Sequence, residues 1–121
     1  REAADTQIAA YPEITGRRYG ASPDDVLTAV DKVIAGKGWR VVSHPPLLDG
    51  EGEYTLEAVA RTFLLGFSSD VAIRLTDEGE STYVDMRSAS RYGRDDFGDN
   101  ARRISDFFGA LAAEMAAQAN R

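Results

Sequence analysis

The densest run of chemistry-bearing side chains lies between residues 85 and 104. It reads Asp85-Met86-Arg87-Ser88-Ala89-Ser90-Arg91-Tyr92-Gly93 and then Asp96-Phe97-Gly98-Asp99-Asn100-Ala101-Arg102-Arg103-Ile104. Arginine presents a planar fork that matches carboxylate and phosphate oxygens. A helix N-terminus adds free backbone N–H groups and a positive dipole end. A strand that runs into a helix here can therefore hold an anion, with Arg87, Ser88, Ser90, Arg91, Asn100 and Arg103 as candidate ligands. The simpler arrangement is a corner that satisfies itself. In that arrangement Asp99 or Asn100 caps the helix, and Asp96 pairs with Arg91 or Arg103. Charge-assisted bonds of that kind would tie Arg91, Asp96, Asn100 and Arg103 into one network.

A second set emerges from strand alternation. Strands are expected over Tyr54–Thr62, Asp70–Thr76 and Ser81–Ser90, and successive strand residues face opposite sides of a sheet. With Leu56, Val71, Ile73, Leu75, Val84 and Met86 turned inward, the other face receives Glu57, Arg61, Asp70, Arg74, Asp85, Arg87 and Arg91. Two readings follow. One is a solvent-facing ladder of cross-strand ion pairs, each contributing about 0.2–1 kcal/mol. The other is a shallow polar surface for an anionic ligand or a partner.

Familiar catalytic templates find no match. His44 is the single histidine; beside Pro45 and Pro46 it reads as a loop residue rather than a base. Ser88 and Ser90 have no nearby base to activate them, and the two lysines, Lys32 and Lys37, belong to the first helix. Asp95, Asp96 and Asp99 lack the spacing and terminal Glu of a calcium loop. The absence of cysteine removes disulfides, thiol nucleophiles and thiolate metal sites. No metal or cofactor is expected. A net charge of −6 and a pI near 4.7 have the wrong sign for the phosphate neutralisation that drives nucleic-acid binding.

The elements that must position these residues are legible. The 121 residues, 43% hydrophobic and 28% charged, suit one domain with one core. No apolar run approaches the roughly 20 residues of a membrane span. Residues 1–10 read as a tail and 11–119 as a single domain. A short strand at Arg17–Ala21 precedes a helix. Ser22 caps that helix, Pro23 suits its first position, and Asp24 and Asp25 suit its first turn. Val26, Val30, Val33 and Ile34 form the helix's apolar face, and Gly36 and Gly38 end it. Trp39–Ser43 is the next strand, stopped by His44-Pro45-Pro46. Asp77-Glu78-Gly79-Glu80 is a hairpin turn. The last helix is expected from about Asn100 to Ala119, burying Ile104, Phe108, Leu111 and Met115. The order β-α-β-β-β-β-α predicts an α+β two-layer sandwich: an antiparallel sheet of about five strands with two helices on one face.

Several stretches together resemble a known family. They are Tyr11-Pro12-Glu13-Ile14, Gly38-Trp39, Glu57-Ala58, Gly66-Phe67, Asp70-Val71, Ile73-Arg74 and the run from Asp85 to Ile104. Across about residues 11–115 the chain resembles the bacterial and plastid family catalogued as domain of unknown function 1499. Ser69 departs from the family pattern, which tends to show a second Asp beside Asp70, so no paired-carboxylate site is expected there. The resemblance implies a segment upstream of this domain, a membrane span or signal, and hence an extracytoplasmic or membrane-tethered location. It implies no particular activity.

Phe63-Leu64-Leu65-Gly66-Phe67 joins two strands without a polar side chain. Either Phe63, Leu64, Leu65 and Phe67 fold back over the sheet edge or final helix, or they stay exposed as an apolar contact for a membrane or a second subunit. Two function classes remain. The first is a non-enzymatic binding or assembly module whose partner is a protein, a membrane surface, a small anionic ligand or another copy of the chain. The second is a hydrolase or lyase using the carboxylates and arginines of the sheet face. The lack of a His or Cys base near the motif favours the first.

Overall fold

A computed structural model describes residues 16–47, 52–61, 68–90 and 97–120. The elements in chain order are β1 (Arg17–Tyr19), α1 (Pro23–Lys37), β2 (Arg40–Ser43), β3 (Glu53–Arg61), β4 (Ser68–Asp77), β5 (Thr82–Ser90) and α2 (Phe97–Ala119). The strands form one antiparallel sheet in the order β1-β5-β4-β3-β2. The chain leaves one edge at β1, crosses through α1 to the other edge at β2, and returns as a meander until β5 closes beside β1. This is the expected α+β arrangement in the expected order.

Local chemistry explains the first helix. Ser22 sits in extended backbone and its hydroxyl accepts from the Asp25 N–H at 3.3 Å. At the other end Gly38 adopts φ 73°, and the N–H groups of Gly38 and Trp39 reach Ala35 O and Ile34 O. That left-handed cap satisfies carbonyls the helix leaves open and favours glycine. The hairpin between β4 and β5 uses Gly79 at φ 94°, with its N–H on Asp77 Oδ1 at 2.9 Å.

Three long strands set the core. Leu56 pairs with Ile73 and Ile73 with Met86, while Tyr54, Leu75 and Val84 form the adjacent row. All six are buried and share one face. Val26, Ala29, Val30, Val33 and Ile34 of α1 close over them with Ile104, Phe107, Phe108 and Leu111 of α2. Trp39 lies parallel to Phe107 with ring centroids 6.0 Å apart, sealing the end of α1. Lys32 and Glu114, at 3.6 Å, bridge the two helices.

The final helix differs from expectation in two respects. It begins at Phe97, three residues before Asn100, so Asn100 lies inside the first turn rather than at a cap. Its apolar stripe is also wider than a seam through Ile104, Phe108, Leu111 and Met115. Phe107 is fully buried while Met115 is only partly so, because α2 meets both the sheet and α1. Removing so large a buried ring leaves a cavity, so Phe107→Ala should cost about 3–5 kcal/mol, and Met115→Ala well under that. Urea denaturation of both variants checks this; a Phe107→Ala midpoint equal to wild type would contradict the packing.

Candidate functional site

The face of the sheet away from the helices is charged, as alternation predicts. Arg61, Asp70, Arg74 and Arg87 are all exposed there, with Glu57 and Asp85 beside them by register. On the three central strands Arg74 Nε bonds Asp85 Oδ2 across β4 and β5 at 3.1 Å. Further along, Arg18 bonds Glu78 at 2.8 Å and lies over the Tyr83 ring at 4.9 Å. That Arg18 bond holds the Glu78 carboxyl below its usual range.

Beyond Arg74 the surface dips. One row across the sheet reads Glu57, Ala72, Arg87, and the next reads Val59, Asp70, Ala89. Ala72 on β4 and Ala89 on β5 leave a shallow trough of about 380 Å³, lined also by Val42, Glu57, Asp70 and Arg87. Glu57 and Arg87 stand two strands apart, roughly 9–10 Å from the spacing of strands, with Ala72 between them. Arg61 lies past the trough, opposite Ser68. Sequence reasoning found the charged residues and missed the trough. The signal for it was small residues, Ala72 and Ala89, at positions whose parity points outward.

The strand-to-helix junction is a separate place on the other face. Ser88 shares the inward parity of Met86 and is buried. Its hydroxyl donates to Asn100 Oδ1 at 2.7 Å, and Asn100 Nδ2 donates to Ser90 Oγ at 3.1 Å. Arg103 Nη1 then donates to Asn100 Oδ1 at 2.8 Å and to Ser88 Oγ at 3.2 Å. The structure thus brings Ser88, Ser90, Asn100 and Arg103 together and separates them from Arg61, Asp70, Arg74 and Arg87. Asn100 spends its amide on the sheet instead of capping the helix. Arg91, Asp96 and the apolar tip Phe63, Leu64, Leu65 and Phe67 lie outside the described residues, as does the tail. Buried polar atoms bonded to one another rigidify a corner, and this is what joins α2 to the end of β5.

The family model described as "Protein of unknown function (DUF1499)" matches residues 2–111. The chain belongs to the DUF1499 family. No curated protein matches its sequence. Among solved structures, the adenylate sensor from AMP-activated protein kinase, crystallised with a ribonucleotide, aligns at TM-score 0.56 and 15% identity. It covers 83% of this chain and 94% of its own. The vertebrate conserved region of human METTL16 aligns at TM-score 0.50 and 15% identity, over 81% and 98%. At such identity the likeness is one of fold.

In this DUF1499 chain His44 is in the expected connection but is not idle. Its Nε2 bonds both carboxylate oxygens of Asp31, at 2.9 and 3.1 Å, and its Nδ1 lies 3.0 Å from the Tyr54 hydroxyl. The same hydroxyl donates to the Pro45 carbonyl. These partners come from α1 and β3, so nothing in the local sequence announces them. Among the described residues no group of three His, Cys, Asp or Glu side chains is placed to hold a metal ion, and no helix is long and apolar enough to cross a membrane.

The junction network makes a quantitative expectation. Ser88→Ala and Asn100→Ala each leave buried polar partners unsatisfied, at a cost of about 1–3 kcal/mol. Because the two share bonds, their double variant should deviate from additivity by about 0.5–3 kcal/mol. Chemical denaturation of the four proteins in the cycle measures the deviation, and strict additivity would show that the two residues do not act as a unit.

Proposed function

We propose that this DUF1499 domain is a non-enzymatic binding or assembly module that receives its partner on the exposed sheet face. The observation that carries the reading is the trough itself. It is lined by Ala72 and Ala89 together with Glu57, Asp70 and Arg87, and among the described residues no salt bridge joins Glu57 to Arg87. A recess so open does not exclude water from a reacting bond, whereas it suits a complementary surface or head group laid across it. The serines of the motif support the same reading, since Ser88 and Ser90 are bonded into the junction by Asn100 and Arg103.

Charge supports it further. The face carries Arg18, Arg40, Arg61, Arg74 and Arg87 against Glu53, Glu57, Asp70 and Asp85. It is close to neutral in a chain of net charge −6. The acidic surplus therefore lies elsewhere, and an anionic group can approach Arg87 without crossing the strongest repulsion. The partner chemistry that fits is an anionic group for Arg87 with a cation or donor alongside for Glu57. Tethering near a bilayer would raise the effective concentration of such a partner on a membrane surface.

The test follows backbone amide signals while inorganic phosphate, and separately vesicles containing phosphatidylglycerol, are added. Perturbations are expected at Ala72, Arg87 and Ala89, lost in Arg87→Glu with the thermal midpoint unchanged. Phosphate alone acting identifies a free anion, and vesicles alone a lipid head group. Perturbations that centre elsewhere, or survive Arg87→Glu, overturn the assignment.

A further inference from the structure

We infer that His44 is a proton-operated latch that holds the end of edge strand β2 against α1 and β3. The number of protons the three contacts need sets the state of the ring. A carboxylate only accepts, so the His44 Nε2 facing Asp31 carries a proton. A carbonyl also only accepts, so the single proton of the Tyr54 hydroxyl goes to Pro45 O. The hydroxyl is then an acceptor toward His44 Nδ1, 3.0 Å away, and Nδ1 must carry a proton too. All three contacts are satisfied together only by the imidazolium. When the ring loses a proton, Nδ1 becomes an acceptor and competes with Pro45 O for the one Tyr54 proton, so one bond is lost.

The surroundings agree. Burial of the ring disfavours its charge, but the hydrogen bond and negative charge of Asp31 outweigh this, and His44 titrates above its usual value. Burial, and after it the charge of Asp31, hold the Tyr54 hydroxyl above its usual range, so it stays protonated throughout. Among the described residues the groups acting on the ring are Asp31 from α1, Tyr54 from β3 and the carbonyls of His44 and Pro45 from its own segment. Tyr54 is an anchor because it is buried in the core opposite Leu75.

What the latch holds is a short edge strand. β2 has four residues, pairs with β3 alone, and shifts register between Val41 and Ser43. Among the described residues Val41 and Val42 are the exposed large hydrophobics, 42% and 54% accessible. An unlatched β2 end would loosen this edge, and with it the Val42 side of the trough; that last consequence rests on the proposed binding face, while the latch stands on its own bonds. The direction with pH follows from linkage. A raised folded-state pKa means the tie contributes fully below the unfolded value near 6.5 and is lost as pH rises through the higher folded value.

Because the chain has one histidine, its ring carbon–proton signal gives a single titration curve. The expected midpoint lies above that of free imidazole in a peptide and falls in Asp31→Asn. Amide protection in residues 40–43, corrected for intrinsic exchange, should drop across the same midpoint while β4 and β5 hold. In His44→Gln that pH dependence should vanish. A midpoint at or below the peptide value, one unmoved by Asp31→Asn, or β2 protection indifferent to the titration each overturns the latch. None of these readings involves a ligand, so they stand apart from the test of the binding face.

Discussion

Everything in this domain depends on β3, β4 and β5 being paired in phase over nearly their whole length. Leu56, Ile73 and Met86 lie in one row, and Glu57, Ala72 and Arg87 in the next. Since side chains alternate with period two, a slip of one residue in any of these strands would exchange its core set for its charged set. The helices can only pack on one face once that phase is set. The same phase sends Ser88 inward beside Met86 and leaves Arg87 outside.

The two polar clusters that result are physically different. Ser88, Asn100 and Arg103 are bonded to one another within or at the edge of the core, where low dielectric strengthens each bond and makes any loss costly. The outer arginines and acids sit in water, where a pair such as Arg74–Asp85 contributes little. A residue on the outer face can therefore be spent on recognition without destabilising the fold. This asymmetry is why the motif running through residues 85–104 splits into a structural half and a surface half. The solved structures that share the architecture at 15% identity show that the scaffold tolerates wide sequence change.

Much of this was legible because it is local. Ser22, Pro23 and Gly38 mark both ends of α1, and parity assigned Glu57, Asp70, Arg74 and Arg87 to the exposed face. What was hidden is non-local or lacks chemistry of its own. The Asp31 and Tyr54 partners of His44 are 13 and 10 residues away on separate elements. Asn100 reads as a cap because its type is common there, and only the sheet beneath it explains why it turns inward. Phe107 was missed because a narrow helical stripe leaves no room for contact with a second helix. The trough was missed because alanines are silent in a search for reactive side chains.

The claim that in-phase alternation divides this domain into a closed face and an open one can be tested residue by residue. The chain has no cysteine, so single cysteines placed along β5 report without background. In the native state Arg87→Cys and Ala89→Cys should react with a maleimide at rates near those of the unfolded chain. Met86→Cys and Ser88→Cys should react only as the protein unfolds. Comparable native rates at positions 87 and 88, or protection at 87 and 89, would contradict the account.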